Sequence, residues 1–290
     1  MVKQRIIFGL IMGSLAIFLC WLDNVLVFRA AGWEIRGIIW SLIVEVLLIV
    51  SVKEFIALAR DKGARVFPFA AYTGASLLAL GYFLRQFWVF FPFPCSLEEM
   101  HLVISIVAVL STMSLSFLTQ GRNHGNEGTI LNCGATILTV MYLGFLTSFF
   151  LAIRLNHGIF ALILFISVVK LCDVGAYTFG KLFGKHKFAP IISPKKTWEG
   201  LAGGALFSAI AGASMSAGFH IMDWKLGAVF GIVFAFIGQY GDLMESMLKR
   251  DAGIKDSGHK LPGFGGILDI VDSLVFSAPF AYLFLNMFAR

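Results

Sequence analysis

Charged side chains are scarce in this sequence: Asp, Glu, Lys and Arg make up 14% of its 290 residues, against 58% hydrophobic residues. Soluble domains usually carry about 25% charged residues. One water-soluble core cannot hide so much apolar surface, so the composition excludes a soluble globular protein and requires a bilayer as solvent. Long polar connections are lacking too. The two longest run over 181–196 and 248–266, which leaves no separate soluble domain and confines any chemistry to loops and helix ends.

Cysteines are few. Cys20, Cys95, Cys133 and Cys172 stand far apart with no CxxC pair, which excludes a disulfide framework and a zinc site built on paired thiolates. They read as small apolar fillers. The six histidines, His101, His124, His157, His186, His220 and His259, show no paired helical spacing. Acidic residues are outnumbered, 17 against 23 basic ones, for a net charge of +6. That excess does not point to nucleic acid, because the basic residues gather in membrane-edge loops where lipid head groups or nucleotide phosphates meet them. No internal repeat is visible, which counts against inverted-repeat transporter designs. No small-residue cleavage site ends the run after MVKQR, so that run is read as a retained span.

What is present is a succession of apolar runs, each long enough to cross about 30 Å of hydrocarbon as a helix. They fall at 6–28, 37–59, 66–91, 101–119, 129–152, 157–180, 197–217, 224–247 and 267–288. This predicts an all-α fold, a polytopic integral membrane helical bundle of about nine transmembrane helices with a cytoplasmic N-terminus. In that orientation fifteen basic residues lie in inner segments and five, Arg29, Arg36, Arg154, Lys225 and Arg290, in outer ones, as the positive-inside rule requires. Two regions are expected: N-terminal transmembrane helices over 1–155, and a C-terminal catalytic transmembrane region over 156–290 with cytoplasmic loops 181–196 and 248–266. In the first region Glu45 and Glu54 stand inside or near the end of a span, where a charge costs a few kcal/mol. A structural role is expected for Glu54, through a lysine near Lys53 or by reaching to the membrane edge.

Charge collects instead in 246–273, SMLKRDAGIKDSGHKLPGFGGILDIVDS. Lys249, Arg250, Asp251, Lys255, Asp256, Lys260, Asp269 and Asp272 give it about twice the average density of 14%. Asp242, Glu245, Ser246 and Lys249 follow i, i+3, i+4, i+7 spacing, which lines them on one helical face, and Asp269 and Asp272 repeat the device one helix later. At 1.5 Å rise per residue, Asp242 lies roughly 8 Å, and Asp173 about 10 Å, below the inner ends of their spans. Carboxylates at that depth need a cationic partner. Oxygen ligands without His or Cys favour a hard cation such as Mg²⁺ over zinc. The loop GKLFGKHKFAPIISPKKTWEG adds five lysines, with Ser193 and Thr197 as hydroxyl donors. It is not a P-loop, which needs GxxxxGK[ST] after a strand. The PGFGG run leads into the last span, so backbone N–H groups and a helix N-terminus are expected to face an anion there.

These residues resemble the phosphatidate cytidylyltransferases (CDP-diacylglycerol synthases). The family pattern S-x-x-K-R-x4-K-D-x-G-x2-L-P-x-H-G-G-x-x-D-R-x-D is met in register by Ser246, Lys249, Arg250, Lys255, Asp256, Gly258, Leu261, Pro262, Gly265, Gly266, Asp269 and Asp272. DVGAYTFGKLFGKHKFAPIISPKKTWEG looks like a second block, so the resemblance covers roughly 170–275. Two positions depart from it: the pattern's His is Phe264, and the Arg between the two aspartates is Ile270. The resemblance implies a nucleotidyltransferase of phospholipid biosynthesis that converts CTP and phosphatidate to CDP-diacylglycerol and pyrophosphate. Ser246, Lys249, Arg250 and Asp269 are then the expected catalytic residues. Lys195, Lys196, Lys255 and Asp256 would bind substrate. Asp242, Asp269 and Asp272 would hold Mg²⁺, with Asp173 a further candidate and a second cation left open. Expected partners are CTP, phosphatidate and membrane lipids rather than nucleic acid, with a homodimer left open, in a bacterial inner membrane with the site facing the cytoplasm. The rivals are a CTP-dependent kinase of a polyprenol-type lipid, a cation-coupled transporter and an inactive scaffold.

Overall fold

The computed structural model describes residues 18–30, 33–90, 96–254, 257 and 266–289. Helix covers 18–25, and a short antiparallel hairpin of β1 (Phe28–Ala30) and β2 (Trp33–Ile35) follows, with Phe28 opposite Ile35. Then come α1 (Ile38–Asp61), α2 (Pro68–Leu84), a 3-10 turn (Arg85–Phe90), α3 (Leu97–His124) and α4 (Thr129–Thr139). A π-helical turn (Val140–Phe145) joins α4 to α5 (Leu146–Phe183), and α6 (Trp198–Gly218), α7 (Trp224–Asp251) and α8 (Leu268–Phe288) complete the chain.

Local chemistry sets several of these boundaries. Pro68 opens α2, where a missing N–H costs nothing. Ser96 and Glu99 exchange side-chain to backbone hydrogen bonds as a capping box at the start of α3. The helix α7 ends in a Schellman turn: the N–H of Gly253 bonds to Arg250 O at 3.1 Å and that of Ile254 to Lys249 O at 3.0 Å. Gly253 takes φ +74° there, a left-handed conformation open to glycine at little cost.

Polar contacts gather at two opposite ends of the bundle. At one, Arg36 N bonds to Gln86 Oε1 (3.0 Å), Arg85 to Asn156 (2.7 Å), Asn156 to Tyr282 (2.8 Å), and His157 lies 2.8 Å from Asn286. At the other, Arg65 N bonds to Asn132 (2.8 Å), Lys62 pairs with Asp251 (3.1 Å) and Leu268 N bonds to Glu54 (2.9 Å). Consecutive helices therefore run up and down between two ends. The continuous stretch Thr129–Phe183 reverses at Gly158, where the backbone leaves helical geometry (φ 85°, ψ 176°).

The all-α membrane architecture holds, and the hairpin is the only sheet among the described residues. Five helical stretches among those residues are long and apolar enough to cross a membrane: Leu97–His124, Thr129–Phe183, Trp198–Gly218, Trp224–Asp251 and Leu268–Phe288. The expected count of nine is not reached by the eight named helices. The first expected span, 6–28, lies largely outside the described residues. The expected spans 129–152 and 157–180 form one continuous stretch that turns back at Gly158, α1 carries Glu45, Lys53 and Glu54 within its apolar run, and α2 has 17 residues.

Burial separates the rods by role. Both limbs of α5 are central: Leu151 and Ile153 before Gly158, and Leu162, Leu164, Phe165 and Val168 after it, are fully enclosed, as expected of helix apolar all round. At the edge, α3 turns a narrow stripe of Ala108, Thr112, Ser116 and Gln120 inward and exposes Leu102, Val103, Ile106, Val107, Leu110 and Leu118. Small and hydroxyl groups toward protein and large apolar ones outward is the pattern of a helix against lipid. The protein is built as an integral membrane protein.

One expected surface charge is internal. Arg154, placed by sequence in an outer loop, is 5% exposed, and its Nε donates to Asp23 Oδ2 at 2.6 Å. Oδ1 of Asp23 accepts the N–H groups of Ile39 (3.0 Å) and Trp40 (3.3 Å), so one carboxylate caps α1 and balances the guanidinium. Removing one member of a buried pair leaves the other uncompensated and costs about 3–5 kcal/mol. Arg154→Met is therefore predicted to lower the thermal unfolding midpoint in detergent markedly, and Asp23→Asn added to it should recover part of the loss. An unchanged midpoint in Arg154→Met contradicts this reading of the pair.

Candidate functional site

The end of the bundle where α7 stops and α8 starts holds two adjoining polar assemblies. In the first, Lys249 Nζ lies 2.5 Å from Glu245 Oε2 and 2.5 Å from Asp269 Oδ1. Glu245 is fully buried, and Lys249 is 9% exposed. The helical spacing that sets Glu245 and Lys249 one turn apart on α7 makes the pair, and α8 supplies the second carboxylate. Oδ2 of Asp269 accepts from Ser257 N (3.0 Å), Ser257 Oγ (3.0 Å) and Gly266 N (2.7 Å).

Glu54 completes this assembly from α1. Its carboxylate accepts from Ser257 Oγ (3.2 Å), Ile267 N (3.2 Å) and Leu268 N (2.9 Å), and it is 5% exposed. Gly266 permits the approach, since a Cβ there would stand 2.5 Å from Glu54 Oε2. Neither Lys53 nor the membrane edge accounts for Glu54; it is a remote N-cap for α8, favoured by the positive end of the helix dipole. The expectation that the α8 N-terminus presents free N–H groups to an anion is corrected accordingly. The amides of Gly266, Ile267 and Leu268 already bond to the carboxylates of Asp269 and Glu54.

The second assembly surrounds a cavity of about 280 Å³ lined by Asp173, Tyr177, Phe188, Lys195, Lys196, Thr197, Gln239 and Asp242, among others. Lys196 Nζ pairs with Asp242 Oδ2 at 2.6 Å, and Ser246 Oγ donates to Asp242 Oδ1 at 3.3 Å. Asp173 accepts from Gln239 Nε2 at 3.3 Å and from Lys170 Nζ at 3.4 Å. The buried Asp272 lies within electrostatic reach of both Asp242 and Asp173.

The lysine loop that lines one wall is folded. Residues 187 and 197 form a β-bridge, Trp198 N bonds to His186 O at 2.9 Å, and Glu199 accepts the N–H groups of Lys185 (3.1 Å) and His186. Thr197 caps α6 by accepting from Gly200 N at 3.1 Å, so its hydroxyl oxygen is engaged. Arg250, at the end of α7, donates to Ile192 O (3.4 Å) and Ile254 O (3.1 Å) and ties this loop to the Schellman turn.

Of the expected site residues, Lys195, Lys196 and Asp242 face the cavity, Ser246 touches Asp242, and Lys249 and Asp269 form the neighbouring assembly with Glu245. Lys255, Asp256 and Phe264 lie outside the described residues. Among the described residues no three His, Cys, Asp or Glu side chains come together closely enough to hold one metal ion. The donors are right in kind for a hard divalent cation, all oxygen, but Asp173, Asp242 and Asp269 are each paired with a lysine. Sequence reasoning passed over Glu54, Gln239 and Lys170 as site residues. Glu54 and Lys170 carried a signal, a charge inside an apolar run; Gln239 carried none.

The cytidylyltransferase family pattern matches residues 3–288, and the chain belongs to that family. It is 38% identical over 186 residues to a phosphatidate cytidylyltransferase of Staphylococcus haemolyticus, covering 63% of this chain and 71% of the relative. A phosphatidate cytidylyltransferase of Staphylococcus aureus (strain COL) is 37% identical over 186 residues, with the same coverage. One of Staphylococcus saprophyticus is 38% identical over 178 residues, 61% of this chain and 68% of the relative.

Glu54→Ala removes two backbone hydrogen bonds to a charged acceptor, each worth about 1.5–3 kcal/mol. Amide exchange at Ile267 and Leu268 is predicted to quicken at least about tenfold by hydrogen–deuterium exchange. Unchanged exchange there contradicts the capping role.

Proposed function

We propose that the chain transfers the cytidylyl group of CTP to phosphatidate, giving CDP-diacylglycerol and pyrophosphate. Membership of the cytidylyltransferase family makes it a nucleotidyltransferase, and the name of its relatives supplies the lipid acceptor. The observation that carries the reading is the cavity in which Lys195 and Lys196 meet the carboxylates of Asp173 and Asp242. It offers cations for phosphates beside the apolar surface that a diacylglycerol needs.

In the reaction a phosphate oxygen of phosphatidate forms a bond to the α-phosphorus of CTP while the bond from that phosphorus to the β-bridging oxygen breaks. Little covalent work is left to the protein, and catalysis is positioning and charge neutralisation. Lys195 and Lys196 take the triphosphate, Lys196 exchanging Asp242 for a phosphate oxygen. Ser246 orients Asp242. Lys249 bridges Glu245 and Asp269 and so joins α7 to the start of α8, and Arg250 ties the α7 turn to the 181–196 loop. Asp269 acts through Lys249, Ser257 and the start of α8. Lys255 and Asp256, on the segment between α7 and α8, complete the binding set.

Mg²⁺ would be held by Asp242 and Asp272 with Asp173 beside them, and when bound it would offset the negative charge of the triphosphate. The site faces the cytoplasm of a bacterial plasma membrane. That orientation is supported by the basic residues Arg60, Lys62, Arg65, Arg122, Lys195, Lys196, Lys249 and Arg250, which collect at the same end of the bundle. A transporter is disfavoured because its carboxylates should lie near the midplane on interrupted helices.

Purified protein given labelled CTP, phosphatidate and Mg²⁺ in detergent is predicted to release CDP-lipid and pyrophosphate in equal amounts. Lys196→Met should raise the KM for CTP about tenfold or more, the loss of one charge-assisted contact, and Asp269→Asn should lower kcat. Absence of CDP-lipid from the parent, or CDP with a lipid monophosphate as products, overturns the assignment.

A further inference from the structure

Lys170 is the only charged residue between Arg154 and Asp173 in the apolar sequence of α5. A lysine deep in a span costs about 2.5–3.5 kcal/mol on insertion scales, so its retention calls for specific partners. It has three. Its Nζ donates to Ile270 O at 2.8 Å, to Ser273 Oγ at 3.2 Å and to Asp173 Oδ2 at 3.4 Å. Ile270 and Ser273 are i and i+3 on α8 and so share a face. The ammonium therefore lies against the face of α8 to which position 270 belongs, one residue from Asp269 and two from Asp272.

Position 270 is also where the sequence departs from the pattern it otherwise follows: between Asp269 and Asp272 the pattern has an arginine, and this chain has Ile270. Taken alone, that departure leaves the neighbourhood of Asp173, Asp242 and Asp272 with one cation fewer than the pattern supplies. Lys196 is committed to Asp242, and Lys249 to Glu245 and Asp269. Lys170 brings a charge to the same place from a different helix, with Asp173 in contact and Asp272 within electrostatic reach.

We propose that Lys170 is a positioning residue of the cytidylyl-transfer site, supplying from α5 the cation that the family pattern places at position 270 of α8. It binds α5 to the first turn of α8 and holds Asp173 toward Gln239 and the cavity. Its charge lies in contact with Asp173 and on the side of α8 that carries Asp272. Lys170 touches neither substrate and acts through these aspartates, so its loss should appear in kcat more than in the KM for CTP. The inference rests on the cytidylyltransferase reading, and the test separates the two.

Parent, Lys170→Met, Lys170→Met/Ile270→Arg and Lys170→Arg are assayed in detergent for CDP-lipid formation and thermal midpoint. Expected is a loss in kcat of about tenfold or more in Lys170→Met, with a smaller change in KM. Ile270→Arg in that background should return kcat to within about threefold of the parent, and Lys170→Arg should keep most of it. A parent that makes no CDP-lipid removes the functional reading; the charge replacement is then decided by the thermal midpoint, which Lys170→Met must lower and Ile270→Arg restore. Full activity in Lys170→Met overturns the inference. So does an inactive Lys170→Met that Ile270→Arg leaves inactive, whether the double variant is folded or not, because a merely structural lysine gains nothing from an arginine at position 270.

Discussion

A carboxylate enclosed among apolar helices must find a cation or several N–H donors, because desolvation otherwise outweighs everything else around it. Five carboxylates at the site end of this bundle meet that condition, each in its own way. Asp242 has Lys196, Asp173 has Lys170, and Glu245 and Asp269 share Lys249. Glu54 instead uses the backbone donors at the start of α8. The arrangement of α5, α7 and α8 follows from these pairings as much as from apolar packing, since each joins two helices, two turns of one helix, or the lysine loop to α7.

The same balance suits the proposed binding of a polyanion. Lysines held by carboxylates are fixed in place before substrate arrives, so little side-chain entropy remains to be lost on binding. In the proposed reaction a triphosphate entering the cavity takes over Lys196 from Asp242 and frees a carboxylate that suits a divalent ion. By contrast, the amides at the start of α8 are closed to an incoming anion by Asp269 and Glu54. The two assemblies thus divide the work: one faces the cavity, and the other keeps the α7 turn and the start of α8 in register behind it.

Much of this was legible in the sequence. Runs of apolar residues announced the helices, and i, i+3, i+4, i+7 spacing put Asp242, Glu245, Ser246 and Lys249 on one face of α7, where Lys249 does reach Glu245. The motif residues of 170–275 led to the family that the whole-chain match establishes. What escaped were long-range partners. Nothing near Glu54 in sequence shows that it caps a helix more than two hundred residues later, since spacing reports only neighbours along a helix. Arg154 read as an outer-loop charge because the turn at Gly158 is too tight to recognise and Asp23 is distant. The pairing of Asp242 with Lys196 and of Asp269 with Lys249 likewise depends on how separate segments face one another.

The most direct test of the central claim is a structure of the protein with CTP and Mg²⁺. The triphosphate should lie in the cavity between the 181–196 loop and α7, with Lys195 and Lys196 on its oxygens and the Lys196 to Asp242 contact broken. Phosphates seated instead on the amides of Gly266 to Leu268, with Glu54 displaced and Lys196 still on Asp242, would contradict it.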